Sequence, residues 1–205
     1  VLILLCFGGF LSAFSQVSNA GRSVFSFMSL PASARLNALG GSNVNLSDGD
    51  ISLAMCNPAL LHAGSHMNLQ LNYSYYLPGT MFGSAMYGHN FGRSPIEKPY
   101  SGDGEPDKPN YFAVGLHFLS YGTMQEALSN GTLTGRTFGA RDILMDIMYA
   151  RQLHPCWKVG VTLKPVYSIY ESYSSFAIGV DVGAHYQTPD SAFQMGLVLA
   201  NIGWQ

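Results

Sequence analysis

Trp157-Lys-Val-Gly-Val-Thr-Leu-Lys164 and, a little further along, Phe176-Ala-Ile-Gly-Val-Asp-Val-Gly183 are the stretches on which the fold turns. In both, large apolar side chains take every second position, and glycine, alanine, threonine, lysine or aspartate fill the places between. Successive side chains of a strand point to opposite faces, so a period of two describes a strand with one apolar face and one small, polar face. Working outward, Phe193, Met195, Leu197 and Leu199 oppose Gln194, Gly196, Val198 and Ala200, while Ile143, Met145, Ile147 and Tyr149 oppose Asp142, Leu144, Asp146 and Met148. Phe112, Val114, Leu116 and Phe118 oppose Ala113, Gly115 and His117, and Leu69, Leu71, Tyr73 and Tyr75 oppose Asn68, Gln70, Asn72 and Ser74. A further segment, 81–91, alternates poorly and brings the number of strand segments to seven. Each is about ten residues long, the length a tilted strand needs to cross a bilayer.

The charges sort themselves by face. Asp142, Asp146, Lys158, Lys164 and Asp181 all fall on the non-apolar side of their strands. A Lys or Arg on a lipid-facing side near the bilayer midplane would cost roughly 2–4 kcal/mol. Charged residues make up 11% of the chain, against about 25% in an ordinary soluble domain, so the surface is not kept in solution by charge. Beyond the first residues, nothing approaches the roughly 20 consecutive apolar residues of a transmembrane helix. A bilayer would therefore have to be crossed by strands, which satisfy their backbone in lipid only as a closed barrel. A secreted β-sandwich also alternates, but turns its apolar face inward onto a packed core. Glycine and alanine on the polar face, and aromatics such as Tyr75, Tyr111, Tyr149, Trp157 and Tyr186 near segment ends, favour an antiparallel transmembrane β-barrel of the all-β class. A net charge of −2 excludes a nucleic-acid footprint.

The chain opens on an apolar run, Val1 to Leu11, too short to span a bilayer and followed by Ala13-Phe-Ser15, the pattern of a signal peptide covering 1–15. Cys6 lies inside it without the small residues that a lipoprotein cleavage site needs, so no lipid anchor is implied. The exported chain is expected to begin near Gln16, with a helical plug over 16–65 and the first half of the barrel over 66–205. Neither an initiator Met nor a basic segment precedes the run, and seven strands is odd where single-chain bacterial barrels have even numbers. The expectation is that the protein extends beyond both ends of this sequence. Residues 201–205 carry no terminal strand signal. Cys56 and Cys156 survive export; an oxidising periplasm permits their pairing, which sequence alone does not specify.

Residues 16–65 do not alternate. Leu30-Pro-Ala-Ser-Ala-Arg-Leu-Asn-Ala-Leu-Gly-Gly41 predicts a short helix with Pro31 in its first turn, ended by Gly40 and Gly41. Asp48-Gly-Asp-Ile-Ser-Leu-Ala-Met-Cys-Asn-Pro58 predicts a second, capped by Asp48 or Asp50 and stopping before Pro58. Arg35 is the lone cation of its apolar helix, and two readings stand: an ion pair with a wall carboxylate, Asp142, Asp146 or Asp181, or a solvated side chain. Turns 153–156 and 188–191 are short and share one side of the membrane; longer loops, 122–141 and 170–175, take the other. The stretch 92–110, rich in Pro, Gly and charge, reads as an insertion, and 77–80 is short where a loop should be long.

No catalytic constellation emerges. His62, His66, His89 and His154 lie near segment ends, and His117 and His185 on presumed lumen faces, without metal-ligand spacing. Asp48-Gly-Asp50 and Asp103-Gly-Glu105 lack the remaining ligands of a calcium loop and read as caps and solvated loops. The Asn-x-Ser/Thr triplets at Asn45, Asn72 and Asn130 carry no weight in a bacterial outer-membrane protein.

Leu30-Pro-Ala-Ser-Ala-Arg35, Ala38-Leu-Gly-Gly41 and Asn57-Pro-Ala-Leu-Leu61, with Tyr121-Gly-Thr-Met124, Thr137-Phe-Gly-Ala-Arg-Asp142, Glu171-Ser-Tyr-Ser-Ser-Phe176 and Ala200-Asn-Ile-Gly203, resemble the PorV/PorQ family, nearer its PorQ branch. The resemblance implies a FadL-like outer-membrane barrel, with Pro31, Arg35, Gly40, Gly41, Asp50, Asn57, Pro58 and Ala59 belonging to the plug motif. It also implies a non-enzymatic component of the type IX secretion system of Bacteroidota, without a cofactor. Its partners would be PorU-like, PorV-like and PorZ-like proteins of the surface complex that processes and attaches secreted cargo, in contact with outer-membrane lipid. The insertion 92–110 departs from the family pattern. The alternative is a FadL-like channel for uptake of hydrophobic small molecules, with Leu144 and Met148 lining its pocket; a third reading is a secreted β-sandwich module.

Overall fold

The structure is a computed structural model that describes residues 25–91, 109–127 and 131–204. The expected signal peptide, the start at Gln16, most of the insertion 92–110 and the triplet Asp103-Gly-Glu105 lie outside the described residues.

Seven strands form one antiparallel sheet in which each pairs with its sequence neighbour: β1 (Asn68–Leu77), β2 (Thr80–Phe91), β3 (Asn110–Ala127), β4 (Leu133–His154), β5 (Trp157–Tyr170), β6 (Tyr173–Gln187) and β7 (Gln194–Trp204). Register preserves the faces read from sequence. Phe176 sits across from Tyr167 and Ile178 from Pro165 on one side, while Lys164 meets Gly179 and Thr162 meets Asp181 on the other. The apolar side is the open one: Leu71 is 70% and Leu197 67% exposed, whereas Asp142 is 0% and Asp181 1% exposed. A sandwich requires the opposite, so the sheet is inside out with respect to a water-soluble β fold. What covers the polar side is the N-terminal segment, residues 25–67.

Several local expectations need correction. The region 122–141 is mostly strand, not loop, because β3 and β4 run on together as a ribbon past the ends of β2 and β5. Positive φ at Gly122, Gly131 and Gly135 accommodates the bulges and turn of this ribbon. The loop expected at 170–175 shrinks to a two-residue turn, since Tyr170 already pairs with Tyr173. Residues 201–204 continue β7, resuming register after a bulge with Ile202 opposite Val180. The poorly alternating segment 81–91 is a regular strand. Its inward Phe82 and Met86 are apolar because they meet the apolar N-terminal segment, which erases the contrast between faces.

In the N-terminal segment, α1 is Ala34–Ala38, capped by Ser33, whose side chain accepts from the Leu36 amide. Pro31 therefore lies ahead of the helix and not in its first turn. Gly40 and Gly41, at φ 91° and 95°, take the chain out of α1. The second expected helix is a 3-10 turn, Ile51–Met55, capped by Asp50 and ending before Pro58; a separate 3-10 turn, Pro58–Leu60, follows it, capped by Asn57.

The space between segment and sheet is layered. One apolar cluster gathers Leu36, Ile51, Leu53, Leu61, Met86, Ala113 and Met148. Another gathers Phe27, Phe82, Leu119, Leu144, Val166 and Ala177. Along β3 and β4, His117 and Asp146 fall between these clusters, as Lys164 does ahead of Val166 on β5 and Asp181 beyond Ala177 on β6.

Candidate functional site

The site is the seat of the N-terminal segment on the sheet and the ionic layer beneath it. Short 3-10 turns leave many carbonyls without backbone partners, and a buried carbonyl needs a donor. Side chains on the covered face supply them. The Ser84 hydroxyl donates to Ala32 O, the Asn90 amide to Ala63 O at 2.8 Å, and the Lys158 ammonium to Leu61 O at 3.2 Å. His185 Nε2 lies 3.0 Å from Asn45 O. Gln70 Oε1 accepts from the Ser52 amide at 3.2 Å. Lys158 is thus an anchor for the segment rather than a free lumen charge.

Asn57 is the centre of the seat and is wholly buried. Its Oδ1 accepts from the Ala59 amide at 3.0 Å, and its Nδ2 donates to Val44 O at 2.6 Å and to Ala184 O at 3.3 Å. One side chain therefore caps the turn begun by Pro58, ties two parts of the segment together and docks both on β6. The approach is close because the sheet offers glycine there. A Cβ at Gly160 would stand 2.7 Å from the Pro58 carbonyl carbon, and one at Gly183 would collide with Asn57 Oδ1. Gly88 meets Ser65 O and Gly196 meets Val44 O in the same way. These seat glycines were legible in the sequence only as small residues on the polar face; which of them carries contact required the docked segment.

Arg35 does not reach the wall. It pairs with Asp48 and lies 4.0 Å from Asp50, all three within the N-terminal segment, with its own side chain about half exposed. The suggested pairing with Asp142, Asp146 or Asp181 is replaced by partners within the sheet. Asp142 accepts from Tyr121 at 2.7 Å and Tyr170 at 3.1 Å. Asp146 Oδ2 lies 2.7 Å from His117 Nε2, a close contact not aligned as a hydrogen bond. Asp181 pairs with Lys164 and also accepts from the Asn201 amide at 2.7 Å. Neighbouring strands bring Lys164 to Asp181 and His117 to Asp146 across the pleat.

Of the remaining candidates, His62 closes a capping box with Ser65, Nδ1 to Oγ 3.0 Å. Burial, reinforced by Lys158, holds its imidazole below the usual histidine range. The His66 and His89 rings meet at a tilt of 51°, their centroids 4.9 Å apart. Cys56 and Cys156 are free thiols; burial pushes the Cys56 thiol up. Among the described residues no three His, Cys, Asp or Glu side chains converge as a metal set, and no helix is long and apolar enough to cross a membrane. No family model matches the chain, and no curated protein matches it.

Proposed function

We propose that this chain is part of the wall and the internal plug of an outer-membrane β-barrel of the PorV/PorQ type. It would serve the type IX secretion system without catalysing a reaction, by holding the surface complex that processes and attaches cargo. The observation that carries the membrane half of this reading is the inverted sheet: apolar side chains open on one face, charge and glycine buried under the N-terminal segment on the other. Lipid is the medium that such an outer face suits, and further strands pairing with the open edges of β1 and β7 would close the barrel. The secretion half rests on the sequence resemblance. A FadL-like uptake channel is the weaker reading, because transport of a greasy molecule needs a continuous apolar path. Here the docked segment and the layer of His117, Asp146, Lys164 and Asp181 interrupt it. The extended β3–β4 ribbon, together with the turn at Glu171, supplies the rim for a protein partner.

The test is co-purification. The full-length protein is extracted from outer membranes in mild detergent and its companions are identified. Recovery of PorU-like and PorZ-like proteins is the expected result; a solitary barrel carrying lipid would move the assignment to the uptake channel, and a chain released without detergent would remove it from the membrane.

A further inference from the structure

A cavity of about 300 Å3 lies between the N-terminal segment and the covered face of the sheet. That is the lower end of the size range of small-molecule sites. Its lining joins the ionic layer, His117, Asp146, Lys164 and Asp181, to apolar side chains that include Met55 and Leu144. The four ionisable groups are not equally engaged. Lys164 pairs with Asp181 Oδ2, and Asp181 Oδ1 accepts from the Asn201 amide. Asp146 has Oδ2 against His117, while its Oδ1 is buried and meets no hydrogen-bond donor among the described residues. A buried carboxylate oxygen without a donor is costly, and a donor brought by a ligand removes that cost. Two carboxylates, Asp146 and Asp181, and one ammonium, Lys164, line the cavity, with the His117 imidazole against Asp146.

We propose that this cavity binds a primary ammonium on a short apolar chain, the ammonium donating to Asp146 Oδ1 and the chain lying against the apolar part of the lining. An aliphatic carboxylate of the same length binds more weakly, because it brings no proton to Asp146 and adds a third carboxylate to the layer. The inference does not depend on which partner the barrel holds.

Titration calorimetry on the full-length protein in detergent, at about pH 8 where an alkylammonium and an alkylcarboxylate are both fully charged, decides it with hexylammonium and hexanoate as probes. The expected result is saturable binding of hexylammonium, about tenfold or more tighter than hexanoate, and weakened about tenfold or more by Asp146→Asn. The control Asp190→Asn, in the β6–β7 turn, leaves it unchanged. Hexanoate binding as tightly as hexylammonium, no saturable binding of hexylammonium, or binding that survives Asp146→Asn would overturn the proposal. Should Asp146→Asn not fold, the comparison of the two probes on the unaltered protein still decides.

Discussion

Asn57 and the glycines opposite it show how single residues determine whether the N-terminal segment can seat. The amide offers a donor and an acceptor on one short side chain, and only a wall without Cβ atoms lets it approach β6. Gly183→Ala should therefore destabilise the folded protein by about 1–3 kcal/mol through overpacking. Gly179→Ala, whose added methyl would meet its nearest neighbours at ordinary contact distances from 3.6 Å, should be close to neutral. Denaturant melts of the two variants in detergent check this; equal losses would mean that the seat is not where the strain falls. His62 adds a pH dependence. Its folded pKa lies below the unfolded value, so the unfolded chain binds the extra proton first and stability falls as pH drops below about 6.5. Protection factors of the amides around residues 62–66, measured against the intrinsic exchange rate at each pH, should fall on acidification through that range, and His62→Gln should flatten the profile.

At the scale of elements, β5 combines two environments on alternate residues. Outward, Val161 and Leu163 are exposed; inward, Thr162 and Lys164 are buried. Lys164→Met should cost about 3–5 kcal/mol because Asp181 is left as an uncompensated buried charge. Removing both charges in Lys164→Met with Asp181→Leu should recover most of that loss, a double-mutant cycle read by the same melts. If the single variant is as stable as the parent, the layer is wetter than its burial implies. The β3–β4 ribbon is the element that sequence reading misplaced. Its residues are polar, glycine-punctuated and free of the apolar alternation that marks a strand between two media, yet their backbones still pair. Thr134 is tied to Glu126 across the ribbon, its hydroxyl donating to the carboxylate at 2.7 Å. Alternation reports a difference in environment, and where both faces are exposed there is none to report.

For the whole molecule, the deciding property is which face meets which medium. Spin labels placed singly at Leu71, Leu163 and Leu197 in lipid bilayers should collide freely with dissolved oxygen and poorly with a polar nickel chelate. A label at Glu126 on the ribbon should show the reverse. Outer-face labels open to the chelate along the full length of the strands would remove the bilayer from the account.

Period-two patterning alone identifies the chain as β-rich and assigns the face of the strand charges. Strand pleating is local, and the match between a side chain and its surroundings is written every second residue. Asp142, Asp146, Lys158, Lys164 and Asp181 were assigned inward on that ground, and all are turned to the covered side. How the N-terminal segment docks, that Arg35 keeps to Asp48, and that Lys164 reaches Asp181 and His117 reaches Asp146 emerge only in the folded chain. These depend on contacts such as Asn57 with Ala184, 127 residues apart, and no local pattern encodes which of several buried partners lies within reach.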